Sequence, residues 1–242
     1  MRFVLAFLVL ALMAGPALAS TTSSVGSPKV KAGNTEVALR TGFSMADDES
    51  SEDSRFRSRV HIDHGFNDTY AAKIVFSQDN RKGDNFEHDS IKFENRFYFL
   101  RADDVGFDAG IRLNYVQKDG DKKPHSVELG FYELIPLGAF ELRLNQIFSD
   151  AIGDESEDGI EAEARFQLTH SLYDAHRFGF ESFNDFGNME DTGKFDEQSH
   201  TFGPVLKGDL PFGGLKYETG YRAGISEAAP DHSLKFFLSR SF

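Results

Sequence analysis

The stretch Arg55 to Phe66, RFRSRVHIDHGF, places Phe56, Val60, Ile62 and Phe66 on one parity and Arg55, Arg57, Arg59, His61 and Asp63 on the other. Successive side chains of a β-strand point to opposite faces, so this spacing predicts a strand with one apolar and one charged face. Working outward, the same alternation recurs. In Ile91 to Leu100, Ile91, Phe93, Phe97 and Phe99 oppose Lys92, Glu94 and Arg96. In Leu215 to Ile225, Leu215, Tyr217, Tyr221, Ala223 and Ile225 oppose Lys216, Glu218, Gly220, Arg222 and Gly224. Helical periodicity is hard to find anywhere after Asn34.

About twelve such segments follow one another, over residues 34–45, 54–66, 70–78, 88–100, 105–118, 125–135, 139–149, 160–172, 176–184, 198–210, 215–225 and 232–242. Parity slips at Tyr132-Glu133-Leu134, where a bulge is expected, and Ser182 to Phe186 fits neither face. Most segments suit a tilted membrane-crossing strand, which takes about 9–11 residues. The connections alternate as well. Short turns such as Asn67-Asp68-Thr69 and Pro136 to Gly138 take turns with longer polar loops such as Ala46 to Asp53, Asp79 to Glu87 and Asp185 to Glu197. Short turns on one rim and long loops on the other are the plan of an outer-membrane barrel, and an even strand count puts both chain ends at the periplasmic, short-turn rim. The predicted fold class is therefore all-β, a transmembrane antiparallel up-and-down barrel of about 12 strands. Tyr70, Tyr115, Tyr217 and Tyr221 are its candidate interfacial aromatics in a chain with no Trp.

The barrel occupies residues 34–242 in this reading. Met1 to Ala19, MRFVLAFLVLALMAGPALA, has a basic start, an apolar run from Phe3 to Met13 and an Ala-x-Ala site before Ser20, and reads as a secretory signal peptide. Residues 20–33, STTSSVGSPKVKAG, read as a flexible periplasmic leader. The expected location is the outer membrane of a Gram-negative bacterium, with membrane lipid, lipopolysaccharide and the barrel assembly machinery as partners.

Composition narrows the function. The chain has 242 residues, 26 Lys and Arg against 39 Asp and Glu, a net charge of −13, and no Cys. An acidic chain is a poor general binder of nucleic acid. The missing Cys removes disulfides, thiolate metal sites and cysteine nucleophiles. No serine-hydrolase elbow, zinc-protease motif or phosphate loop occurs, so no catalytic residue, cofactor or metal site is assigned. Outer-membrane phospholipases need a His and a Ser aligned on the outer wall, and nothing in the sequence promotes pairs such as His200 with Ser182 to that role. The acidic residues gather in the long loops, as in Asp47, Glu52, Asp53, Asp79, Asp158, Asp185 and Glu190. The charged parity of the strands is instead net basic. Arg55, Arg57 and Arg59 form a ladder, and Arg96, Arg112 and Arg222 join them as candidate lumen-lining residues in contact with solute. Such a row lowers the barrier for carboxylates and phosphates, unless the charges pair across strands and neutralise one another.

The chain ends Leu234-Lys235-Phe236-Phe237-Leu238-Ser239-Arg240-Ser241-Phe242. Terminal Phe242, with Leu238, Phe236 and Leu234 on its parity, resembles the C-terminal signal by which outer-membrane barrels are recognised for assembly, although Arg240 departs from the usual apolar residue. A signal peptide, about twelve strands, a basic inward parity and a terminal Phe together resemble the small monomeric porins of the oligogalacturonate-specific porin family. That resemblance lies in architecture and implies a narrow twelve-stranded channel; the substrate is not carried over. The C-terminal stretch from Gly203 to Phe242 resembles a broader group of uncharacterised barrel proteins. The expected function is passive diffusion of small hydrophilic, anionic solutes. The alternatives are a non-conducting structural or surface-interaction barrel with acidic loops, and a soluble periplasmic β-barrel binding protein.

Overall fold

The computed structural model describes residues 20–242 apart from 48, 49, 51, 82–84, 121–123, 154, 155, 157 and 174. The signal peptide expected over residues 1–19, and most of the acidic run at 154–158, lie outside the described residues. Twelve antiparallel strands form one closed barrel: β1 (Thr35–Met45), β2 (Arg55–Gly65), β3 (Tyr70–Asn80), β4 (Glu87–Leu100), β5 (Asp108–Lys118), β6 (His125–Leu137), β7 (Phe140–Ile152), β8 (Ile160–Ser171), β9 (Arg177–Asn188), β10 (Ser199–Asp209), β11 (Leu215–Gly224) and β12 (His232–Ser241). Each strand pairs with its neighbours in the chain, and β1 pairs with β12, with Glu36 opposite Ser241 and Met45 opposite His232. Closure leaves no unpaired sheet edge. A single helical turn, Ala102–Val105, precedes β5, so that strand starts three residues later than the alternation predicts.

Glycine makes the tight turns. Between β6 and β7 only Gly138 and Ala139 intervene, and Gly138 takes a φ of 68°. Gly213 and Gly214 take 68° and 60° before β11. A two-residue hairpin needs a positive φ that other residues resist.

The polarity is inside-out. Leu39, Val60, Ile62, Phe93, Leu113, Phe131 and Phe236 are exposed on the outer wall, while Asp63, Glu94, Arg112, Glu181, Arg222 and Lys235 are buried on the inner one. A soluble barrel would reverse this, and a transmembrane barrel has this arrangement. No helix among the described residues is long and apolar enough to cross a membrane.

Two sequence expectations are corrected here. β6 runs through Tyr132-Glu133-Leu134 with unbroken register to both neighbours, so there is no bulge. Tyr132 and Leu134 point inward with Arg112 and Asp108 opposite or adjacent, and Glu133 points out. Register shifts occur instead at Ser77/Gln78, Tyr98/Leu100 and Ala162/Glu163. The second correction concerns residues 20–33. They do not extend as a leader outside the barrel but turn back from β1 into its lumen, where Thr22, Val25 and Pro28 are fully buried. Small side chains let the segment fit between inward-facing residues, and its backbone carbonyls meet guanidinium donors that would otherwise be unsatisfied.

Candidate solute pathway

The inner wall is built in charged layers. Nearest the long-loop rim, Arg55 Nε donates to Asp79 Oδ1 at 2.8 Å, and its terminal nitrogens pair with Glu52 and Asp79. Arg57 shares the same acids, with Nη2 2.9 Å from Glu52 Oε1. Toward the short-turn rim, Arg96 donates to Asp63 at 2.8 Å and Arg112 to Glu94 at 3.3 Å. Lys73 bridges those two acids at 3.2 Å and 2.9 Å. Across the lumen, Glu181 holds Arg222 at 2.9 Å and Lys235 at 2.6 Å, all three side chains being almost fully buried. Aromatic faces support two of these cations. Arg112 lies 3.8 Å over the Tyr132 ring and Arg222 lies 3.6 Å over Phe183.

Of the six candidate lining arginines, five are therefore engaged by carboxylates. Arg59 is the exception: it makes no hydrogen bond or ion pair with another described residue. Glu52 and Asp79, which read as rim acids in the sequence, turn inward and are what neutralise the top of the ladder.

The N-terminal segment crosses the lumen and is fastened to walls all round it. Arg222 donates to the Ser23 carbonyl at 2.6 Å, Arg165 to that of Ser24 at 3.2 Å, and Arg112 to that of Ser27 at 2.9 Å. Arg40 donates to Ser24 Oγ at 2.7 Å. Gly26 and Asn145 exchange two hydrogen bonds, 2.6 Å and 3.0 Å. A Cβ at Gly26 would stand 2.5 Å from Arg112 Nη2 and 2.9 Å from the Tyr132 ring, so only glycine fits here without displacing them. A cavity of about 530 Å³ opens on the long-loop side of the segment, and one of about 630 Å³ on the short-turn side. Ser24, Arg40, Lys73 and Arg112 border both.

Sequence reasoning missed three parts of this site. The segment 20–33 has no periodicity that would reveal its place. Phe183 sits in the stretch that fitted neither face because it points inward beneath Arg222, leaving Ser182 and Asn184 outside. Glu181 and Lys235 fall on the inward parity, but nothing in the sequence marks them as partners.

On the outer wall, Leu234, Phe236 and the terminal Phe242 are exposed, on the face of β12 away from the lumen. Ser182 and His200 also share the outer face, joined through Asn184. The Asn184 amide donates to Ser182 Oγ at 3.0 Å, while its Oδ1 lies 3.1 Å from His200 Nδ1. His200 Nε2 lies 2.9 Å from Gln198 Oε1, so neither imidazole nitrogen addresses the serine. No group of three or more metal-ligating side chains gathers among the described residues.

Fold and lumen together define a small, closed, twelve-stranded barrel of inside-out polarity, and solved outer-membrane channels share its architecture. The COG4313 outer membrane channel from Pseudomonas putida F1 matches with a TM-score of 0.64 at 11% identity, over 91% of this chain and 100% of that one. KdgM porin, also solved in complex with disordered oligogalacturonate, matches at 0.60 and 7% identity, over 86% and 99%. NanC porin matches at 0.57 and 8%, over 84% and 97%. No protein-family model and no curated protein matches the chain. At these identities the likeness is one of architecture.

Proposed function

We propose that this protein is an outer-membrane channel for passive diffusion of small hydrophilic, anionic solutes. The observation that carries this reading is the inside-out barrel whose polar lumen holds a cavity toward each rim, with the segment 20–33 lying across the lumen between them. In the arrangement described, that segment must move aside for a solute to cross. The preference for anions rests on lumen cations that no described carboxylate pairs with directly, Arg59 and Arg40 above all. KdgM, a barrel of the same architecture solved with an acidic oligosaccharide, is consistent with that sign. The exposed face of β12 that carries Leu234, Phe236, Leu238 and Phe242 would serve as the assembly signal, and residues 1–19 as the export signal. The surrounding lipid and lipopolysaccharide would contact the outer wall.

A second reading, a non-conducting structural barrel, is favoured by the density of carboxylate pairing and by the segment in the lumen. Planar-bilayer recordings in a KCl gradient separate the two. The channel reading expects discrete conductance steps and a reversal potential on the chloride side. Silence at all voltages would sustain the structural barrel, and a potassium-side reversal would overturn the anion preference.

A further inference from the structure

We propose that the cavity on the long-loop side contains a discrete binding site for one small oxyanion group, a carboxylate or a phosphate, held between Arg40 and Arg59 with His61 beside them. The site deepens the channel reading and names where an acidic solute would pause.

Three observations converge. First, Arg40 and Arg59 are direct cross-strand partners on β1 and β2, both pointing inward. Like charges directly opposite one another are destabilising, and an anion placed between them would relieve the repulsion. Second, no described carboxylate forms a hydrogen bond or ion pair with either guanidinium, although Asp89 lines the same cavity and acts on Arg59 from a distance, as Glu218 and Glu36 act on Arg40. The acids toward the long-loop rim, Glu52 and Asp79, are taken by Arg55 and Arg57. The acids toward the short-turn rim, Asp63 and Glu94, are taken by Lys73, Arg96 and Arg112. The direct contacts of the Arg40 guanidinium are the Ser24 hydroxyl and the Phe237 ring at 5.0 Å, and Arg59 makes no hydrogen bond or ion pair among the described residues. Third, His61 lines the same cavity at 7% exposure, with both ring nitrogens unsatisfied. A buried polar group without a partner is uncommon, and here it stands two residues along the same face from Arg59.

The chemistry fits an oxyanion. Two guanidinium groups can present parallel N–H pairs to a carboxylate or phosphate, and an imidazole N–H can serve a remaining oxygen. Ser77 stands opposite Arg59 on β3 and lines the cavity as a further hydroxyl donor.

The test is equilibrium binding to the full chain refolded in detergent, titrated calorimetrically at low ionic strength. The probes are inorganic phosphate, glucuronate and, as the uncharged control, glucose. The site predicts saturable one-to-one binding of phosphate or glucuronate, with the preferred one identifying the headgroup, and none of glucose. Binding should weaken at least tenfold in Arg59→Gln and in Arg40→Gln. It should stay unchanged in Lys31→Gln, which makes the same charge change at the short-turn end. The preferred anion should also raise the melting temperature of the wild type and not that of Arg59→Gln, which removes a repulsion and so should fold. Absence of saturable binding, or equal losses in Arg59→Gln and Lys31→Gln, would overturn the site. Because no membrane is involved, binding by a barrel that never conducts would leave the site standing and remove only the channel reading.

Discussion

Gly26 and Asn145 hold one another by two hydrogen bonds across 119 residues of sequence. The Gly26 N–H donates to Asn145 Oδ1 at 2.6 Å, and the Asn145 amide donates to the Gly26 carbonyl at 3.0 Å. This clamp ties a segment without secondary structure to a regular strand, β7, at the middle of the lumen. Removing it should loosen the segment and leave the wall intact. Asn145→Ala is expected to weaken docking by about 1–3 kcal/mol, a shift of roughly 5- to 150-fold toward the undocked state. The check is single-channel open probability, which should rise while the melting temperature of the barrel changes little.

Gly42 offers a steric version of the same experiment. A Cβ there would stand 2.7 Å from the Thr21 Cβ and 2.8 Å from the Thr21 carbonyl carbon. Valine suits a strand and carries no charge. Gly42→Val should therefore push the segment from the wall, raising conductance without altering ion preference, as read from the reversal potential.

Among the described residues Glu181 is the one carboxylate paired with both Arg222 and Lys235 in the buried far wall, although Lys235 also reaches Glu218 at 2.7 Å. Glu181→Gln leaves buried cations short of a partner, a change that costs about 3–5 kcal/mol in comparable buried pairs. The midpoint of heat-induced mobility change on gels should fall by many degrees. The corresponding change at Glu36, which lines the lumen at the short-turn end, should be much milder.

The outer wall makes its own prediction. Val60 is 40% exposed, near the middle of β2, and points away from the lumen. Arginine on the lipid side of a barrel costs about 2–4 kcal/mol at the membrane midplane. Val60→Arg should thus lower the folded yield in lipid vesicles, whereas the neighbouring inward change Arg59→Ser should not. Equal yields for both would mean that this face does not meet lipid.

Strand positions were legible in the sequence because a wall with one apolar and one polar face forces strict alternation. Phe56, Val60 and Ile62 could take no other reading. Alternation failed where the lumen itself is apolar: Tyr132 and Phe183 turn inward to lie under Arg112 and Arg222, so parity there reports a cation–aromatic contact rather than lipid. Pairing was not legible either. Glu52 lies in the stretch that reads as an acidic loop, and only the fold brings it onto Arg55 and Arg57. The segment 20–33 was the least accessible part. Its fasteners are mostly backbone carbonyls, which every residue has, so its small polar side chains look the same in a solvated leader as in a filled lumen.

The most direct measurement of the central claim, that residues 20–33 occupy the conduction path, exploits the absence of cysteine from the chain. In the double variant Thr21→Cys/Gly42→Cys the Cβ added at 42 starts 2.7 Å from that of residue 21, so the segment backs off by about 1 Å to disulfide spacing and stays tethered to β1. Conductance of this variant in planar bilayers should be abolished when it is oxidised and should return when reductant is added. A cross-linked barrel that conducts as well as its reduced form would contradict the account.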